Sequence, residues 1–351
     1  MWLLLHAWIV LAADVTALRD WALTRPVPPD DLEVAEGYRF AGQVFEDIAG
    51  WIEASDAVVE IEHLGPATSL QPLWAIHVSP KGPPPEREVL VFAGIHAMEW
   101  ITTEVAADLL EELLAVPVPD TRVTVIPLLN PDGRNKVERD LAIGLNRFRR
   151  GNLTNVDLNR DFGVHSDSPA IWSALIPSRY HHSGYPVGQP ETRALDRLLR
   201  RHDYERAASL HAFGGYFFYP WSGRYKRPEA AEEHVALGRL MEQAQGGHAY
   251  RTRQLGRWGF FFRAQGSEID HIHGLYGTTA YLVELTRSGF DWRAPFRSWN
   301  TMFRRYNPAD RDRHVTAGLA AMRVLVRHTD PLPRQPKSQR ERAVSGDGDR
   351  S

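Results

Sequence analysis

Two side chains set three residues apart carry the first chemical signal in this sequence. His96 and Glu99 stand in Gly94-Ile95-His96-Ala97-Met98-Glu99-Trp100, directly behind the apolar run Val89-Leu90-Val91-Phe92. A strand that ends at that run and turns into a helix at Glu99 puts imidazole and carboxylate on one side of the turn, because positions i and i+3 are helix neighbours. A zinc ion takes such donors at roughly 2.0–2.2 Å, and a catalytic ion needs one more protein ligand and an open position for water. The same pair also fits a capped helix start with a solvated glutamate. Among the 15 histidines, His211 closes the apolar run Ala207-Ala208-Ser209-Leu210, and the pair His181-His182 competes with it as the further ligand. A histidine behind an apolar strand is more often a satisfied core residue than a ligand. Glu284 lies in Ala280-Tyr281-Leu282-Val283-Glu284-Leu285. A carboxylate in so apolar a run needs a task or a partner, as a base or in a buried ion pair with Arg287.

These residues need elements to hold them. Gly37 to Ala54 has apolar residues near helical spacing. Ala57 to Leu64 and Pro72 to Val78 read as two strands joined through Gly65-Pro66. Glu88 to Gly94 is a buried strand, Glu99 to Leu114 a helix, and Val123 to Leu129 a strand running into the turn signature Asn130-Pro131-Asp132-Gly133. The stretch from Ala142 to Phe162 has no period and is expected to be irregular. Helices follow over Glu191 to His202, Glu229 to Gln245 and Arg311 to His328, with strands over Ala207 to Leu210 and Thr279 to Leu285. Helices alternating with buried strands predict an α/β fold, a single domain with a mixed β-sheet and helices on both faces. In such sheets ligands bind beyond the carboxyl ends of strands, where His96, His211 and Glu284 fall.

Composition narrows the function. The chain has 351 residues, a formal net charge of -3 and no cysteine. No long basic run marks it as a nucleic-acid partner, and neither a disulfide framework nor a thiolate metal site is open to it. Residues 1–30 form an N-terminal segment. Met1 to Ala13 is too short to span a bilayer as a helix, so no stable membrane span is expected. Val15-Thr16-Ala17 suits signal-peptide cleavage, but the basic n-region is missing and Asp14 interrupts the stretch. An amphipathic helix packed on the domain is the alternative, and the compartment stays open between secreted or periplasmic and cytoplasmic. Residues 31–330 form the domain, and 331–351, rich in Pro, Arg, Ser, Gly and Asp, a disordered tail.

Taken in order, Gly94 to Trp100, Asn130-Pro131-Asp132-Gly133, Val156-Asp157-Leu158-Asn159-Arg160, His211 and Glu284-Leu285 resemble the carboxypeptidase A/B family of zinc metallocarboxypeptidases, over about Gly37 to His328. The resemblance implies one zinc ion per chain on His96, Glu99 and His211, the ligand set of two histidines and a glutamate familiar from carboxypeptidase A. It implies Glu284 as the general base toward a metal-activated water, and Arg149 as the group that stabilises the oxyanion, with Arg147 or Arg150 taking that role if the register slips. Asn159 and Arg160 would grip the free C-terminal carboxylate of a peptide or other substrate, the guanidinium in two bonds. A structural pair of Arg160 with Asp157 or Asp161 is the alternative. The implied activity is hydrolysis of the C-terminal peptide bond, by a protein expected to be monomeric and, with nothing before Gly37 long enough for a folded pro-domain, made active.

One position departs from the family. Its substrate-binding tyrosine lies eight residues before the aspartate of a Ser-Ile-Asp segment; here the segment is Glu268-Ile269-Asp270, and eight back stands Phe262. Phenylalanine covers a site but donates no hydrogen bond. Ile269 matches the base of the family's specificity pocket and implies an apolar terminal side chain, with Ala264 and Leu282 in keeping. Glu268 next door would favour Lys or Arg if the backbone shifted slightly. Two other functions remain open: a zinc amidase or deacylase of the same fold acting on N-acyl amino acids or cell-wall peptides, and a non-catalytic zinc-containing module that binds carboxylates.

Overall fold

The structure, a computed structural model, describes residues 12–29, 32–167, 184–247, 250–259, 263–287 and 302–330. Phe262, the pair His181-His182 and the tail from residue 331 lie outside the described residues. The strands are β1 (Ala12–Ala13), β2 (Val58–Pro66), β3 (Pro72–Ser79), β4 (Arg87–Phe92), β5 (Thr121–Ile126), β6 (Arg206–Ala212), β7 (Tyr216–Tyr219), β8 (Arg251–Gln254) and β9 (Thr279–Leu285). Among the described residues they form one sheet in the order β1-β2-β3-β5-β4-β6-β9-β7-β8. Its centre, β5-β4-β6-β9, is parallel. β1, β2 and β3 join antiparallel on one side, and β7 pairs antiparallel with β9 on the other. The helices are α1 (Val15–Leu23), α2 (Ala41–Ala54), α3 (Trp100–Ala115), α4 (Pro131–Ala142), α5 (Pro190–Arg201), α6 (Ala231–Ala244), α7 (Glu268–Tyr276), α8 (Met302–Tyr306) and α9 (Arg311–Arg327).

Alternation along the strands splits the core into two layers. Val89, Val91, Leu210 and Val283 face one way, against apolar residues of α2, α3, α6 and α9. Leu90, Phe92, Ile126 and Leu282 face the other, against Leu195 and Leu198 of α5 and Ile269 and Ile272 of α7. This is the mixed sheet with helices on both faces that the alternating pattern predicts. Phe92 is fully buried in the second layer; truncation to alanine there costs about 3–5 kcal/mol.

Three departures from the expected elements have local causes. Asn130-Pro131-Asp132-Gly133 opens a helix rather than a plain turn: Asn130 caps α4 by accepting from Gly133 N–H at 2.9 Å, and Pro131 takes the first helical position, where no N–H is missed. β7 and β8, four residues each, escape any periodicity test, and β8 is an edge strand of four polar residues. The N-terminal segment joins the fold, with β1 paired to β2 and Trp21 of α1 edge-on to Phe45 of α2 at 4.5 Å. Residues 12–29 thus pack on the fold as the amphipathic-helix alternative expects, and cleavage after Ala17 would divide α1. No helix among the described residues is long and apolar enough to cross a membrane.

Candidate active site

β4 ends at Phe92, and Gly94 makes the turn that follows with φ of 65°. A side chain there would be strained by that φ and would press to 2.6 Å from Leu128 Cδ1. The turn delivers His96 and then Glu99, the residue capping α3. The loop is braced from below: Asn130 Nδ2 donates to the carbonyl of Ile95 at 3.1 Å and to that of Gly151 at 3.2 Å. His211 comes from the neighbouring strand β6, and the β6–β9 register sets Glu284 directly beside it.

His96 Nδ1 lies 2.9 Å from Glu99 Oε1 and 3.1 Å from His211 Nδ1. Glu99 Oε2 is 3.3 Å from His211 Nδ1 and accepts from the Ala212 N–H at 3.1 Å. All three side chains are buried. Donors of a tetrahedral zinc ion, bonded at 2.0–2.1 Å, stand about 3.3 Å apart, so this trio fits one with little rearrangement. The outward ring nitrogens are held as metal-binding histidines require. His96 Nε2 meets Asp157 Oδ1 at 3.1 Å, and His211 Nε2 meets Glu268 Oε1 at 2.8 Å.

The buried charges are matched. Burial opposes ionisation of Glu99, but His96 and His211 outweigh it and hold its pKa below the usual range. Burial likewise works against Asp157, and Arg150, Arg160 and His96 keep it well below that range. For His211 burial disfavours the charge, yet Glu268 and Glu99 raise its pKa to about 10. Glu284 behaves oppositely: burial, with Glu99 and Glu268 adding to it, pushes its carboxyl up to about 8 against His211 and Arg150. Its Oε2 is buried and makes no hydrogen bond among the described residues. That leaves one buried polar atom of the site without a partner among them.

A cavity of about 220 Å3 opens at this point, lined by the polar side chains of Arg150, Asn159, Arg160, His211 and Glu284 and by the apolar ones of Phe218, Leu255, Trp258, Ala264 and Leu282 among others. His96, Glu99, His211, Glu284, Asn159 and Arg160 are therefore brought together. Arg149 is not: its Nε donates to Asp140 Oδ2 at 2.8 Å, away from the cleft. Arg150 takes the cleft position instead, with Nε donating to Asp157 Oδ2 at 2.7 Å and Nη1 3.6 Å from Glu99 Oε1. The guanidinium at the cleft is thus that of Arg150, one of the two fallbacks named for Arg149, because in an irregular segment the anchoring carboxylates decide which guanidinium turns inward. Ile269 is fully buried in the apolar layer with Leu255, Ala264 and Leu282, behind the cavity rather than on its surface. Glu268, weighed above as a partner for Lys or Arg, is committed to His211. Two residues with work in the site were missed as such: Asp157, weighed only as an ion-pair partner of Arg160, and Glu268, whose tie to His211 spans 57 positions and leaves no local signal.

A model of the family described as zinc carboxypeptidase matches residues 49–303. The protein YqgT of Bacillus subtilis (strain 168) is 24% identical over 250 residues, 60% of this chain and 64% of that protein's length. Carboxypeptidase O of Bos taurus is 21% identical over 312 residues, covering 82% of this chain and 81% of that one. Among solved structures, thrombin activatable fibrinolysis inhibitor superposes with a TM-score of 0.64 at 20% identity, over 88% of this chain and 80% of that one, a likeness of fold.

Proposed function

The chain belongs to the zinc carboxypeptidase family, and on that premise we propose that it hydrolyses the C-terminal peptide bond of peptides. One observation carries the reading: His211 of the two-histidine, one-glutamate cluster, Glu284 with its unpartnered oxygen, and Asn159 with Arg160 line one small cavity together with apolar side chains. A cavity that offers a guanidinium and an apolar wall side by side suits a terminal residue with its free carboxylate. The family uses zinc, and His96, Glu99 and His211 are the residues that would hold it. There zinc supplies Lewis acidity, making water nucleophilic at neutral pH and polarising the scissile carbonyl.

This chain's own residues do the rest. Arg160 and Asn159 anchor the substrate carboxylate, a charge-assisted contact that rejects amidated ends. Arg150 donates toward the oxygen that gains charge as the carbonyl is attacked. Glu284 takes the proton of the attacking water and passes it to the leaving amine, so one carboxylate serves as base and then acid. With zinc held by His96, Glu99 and His211, its positive charge would oppose the rise that burial imposes on the Glu284 carboxyl.

The test is hydrolysis of matched free and C-terminally amidated peptides, with Glu284→Gln as control and zinc measured on each sample. Release of single residues from free ends only, lost in Glu284→Gln with zinc retained, is the expected result. Zinc-loaded protein that leaves free peptides intact but cleaves N-acyl amino acids or cell-wall peptides overturns it in favour of an amidase or deacylase.

A further inference from the structure

Another His–His–Glu constellation lies on the α5 face of the sheet, away from the cleft. Side chains alternate along strands, so Leu64 of β2, Leu90 of β4 and Ile126 of β5 share that face, covered by Leu195 and Leu198 of α5. Two residues earlier on each of those strands the same rows turn polar, with Glu62, Glu88 and Thr124; on β3, running the other way, the row turns polar at His77. There α5 runs out at Arg201, and His202 follows it.

Glu62 and His77 are only 3% and 2% exposed, so both need a reason to be polar. His77 Nδ1 stands 2.9 Å from Thr124 Oγ1, and its Nε2 is 3.2 Å from Glu62 Oε2. His202 Nδ1 stands 3.0 Å from Glu88 Oε1, and its ring stacks on His77 with centroids 5.4 Å apart. Arg201 binds the other oxygen of Glu62, leaving Oε2 for the histidine side. One donor atom from each of Glu62, His77 and His202 lies within 4.8 Å of the others.

We propose that Glu62, His77 and His202 form a second, non-catalytic zinc site that fastens the end of α5 to β2 and β3. Each imidazole has one ring nitrogen fixed from behind, by Thr124 or by Glu88, which leaves Nε2 of both for a cation. The histidines of the active site are held in the same way, by Asp157 and Glu268. Two imidazoles and a carboxylate without thiolate form a zinc-type donor set. Loading draws the donors from at most 4.8 Å apart to about 3.3 Å, a side-chain adjustment. The side chain of His202 is 15% exposed, which gives the cation a route in and a water its place as the fourth ligand. At its other end α5 is tied separately to the active-site side of the sheet, where Thr192 Oγ1 donates to Asp161 Oδ2 at 2.5 Å, beside Arg160. The length of β4 separates the two metal sites, roughly 20 Å at the rise of a strand.

The experiment strips the full chain of metal with a chelator, reloads it with zinc and counts bound metal in wild type, His96→Ala and His202→Gln. Expected are a second zinc equivalent in wild type, its loss in His202→Gln with peptide hydrolysis unchanged, and its retention in His96→Ala. Glu88→Gln should weaken this equivalent about 10–100-fold without moving the catalytic one. As a readout independent of activity, added zinc should raise the melting temperature of His96→Ala and not that of His96→Ala/His202→Gln. Wild type that saturates at one zinc, lost in His96→Ala, overturns the proposal, as does a second equivalent that His202→Gln leaves in place.

Discussion

Exchanging Arg150 and Arg149 in turn for glutamine tests the chemistry at its least obvious point. Arg150 makes a 2.7 Å bond to Asp157 and reaches to 3.6 Å from Glu99, its side chain only 17% exposed. A donor aimed at a developing oxyanion is worth about 10²–10³ in kcat, or about 2.7–4 kcal/mol. Arg149 pairs with Asp140 and its side chain is 32% exposed; a pair so wetted contributes about 0–1 kcal/mol to stability and nothing to turnover. Arg150→Gln should therefore lower kcat about 100- to 1000-fold with a smaller change in KM, while Arg149→Gln stays within about twofold of wild type. The assay is steady-state hydrolysis of a free-ended peptide, normalised to zinc content, because Asp157 also orients His96 and a disturbed Asp157 would cost metal. Asp157 keeps His96 as a hydrogen-bond partner in the variant and Arg160 nearby, so the site should still load. Turnover per zinc that survives in Arg150→Gln, or collapses in Arg149→Gln, refutes the assignment.

Glu284→Gln should cut turnover by about 10²–10⁴, the range for a general acid–base group, with zinc content unchanged; a variant with near wild-type kcat removes Glu284 from the mechanism. Glu268→Gln, which loosens His211 without touching the cleft wall, should weaken zinc about 10–100-fold in competition with a chelator, and unaltered affinity would make that contact idle. With Phe218, Leu255, Trp258, Ala264 and Leu282 on the cavity and Glu268 turned to His211, peptides ending in Phe or Leu should outrun those ending in Lys or Arg in kcat/KM; the reverse order contradicts the apolar pocket. His234 is buried with its Nδ1 donating to the Ala230 carbonyl at 2.8 Å, and burial with nearby His273 lowers its pKa from 6.5 to about 3. Above pH 6.5 both folded and unfolded chains hold it neutral; below, only the unfolded chain takes the proton, so stability falls as pH drops toward 3. That slope, up to about 1.4 kcal/mol per pH unit, should flatten in His234→Gln when unfolding is followed across the window; an unchanged slope refutes it.

The parts of the site legible in the sequence are those fixed by local geometry. His96 and Glu99 read clearly because one turn separates them, and the end of an apolar strand is where such a turn must fall. His211 and Glu284 read as strand-borne polar residues in apolar runs, though only the β6–β9 register makes them neighbours. The sheet was legible for the same reason, through buried strands long enough to show their pattern, whereas β7 and β8 were too short, and the N-terminal segment read equally as a signal peptide or as the packed amphipathic helix that α1 forms. Arg149 and Arg150 could not be told apart, since the segment around them repeats with no period and the choice belongs to Asp140 and Asp157.

Glu268 and Ile269 show the limit most sharply. In the sequence they are adjacent and nearly interchangeable, so a small shift would swap an acid for an apolar group at the base of the pocket. In the structure they open α7, and successive residues on a helix point about 100° apart. One side chain must then turn to His211 and the other into the apolar layer. The helix that separates them is short and its buried face carries Glu268, Asp270 and His271, so no hydrophobic period announces it. A carboxylate that a sequence reading sets against the substrate is held instead to the metal's histidine, and the apolar character of the pocket follows from that one turn of helix.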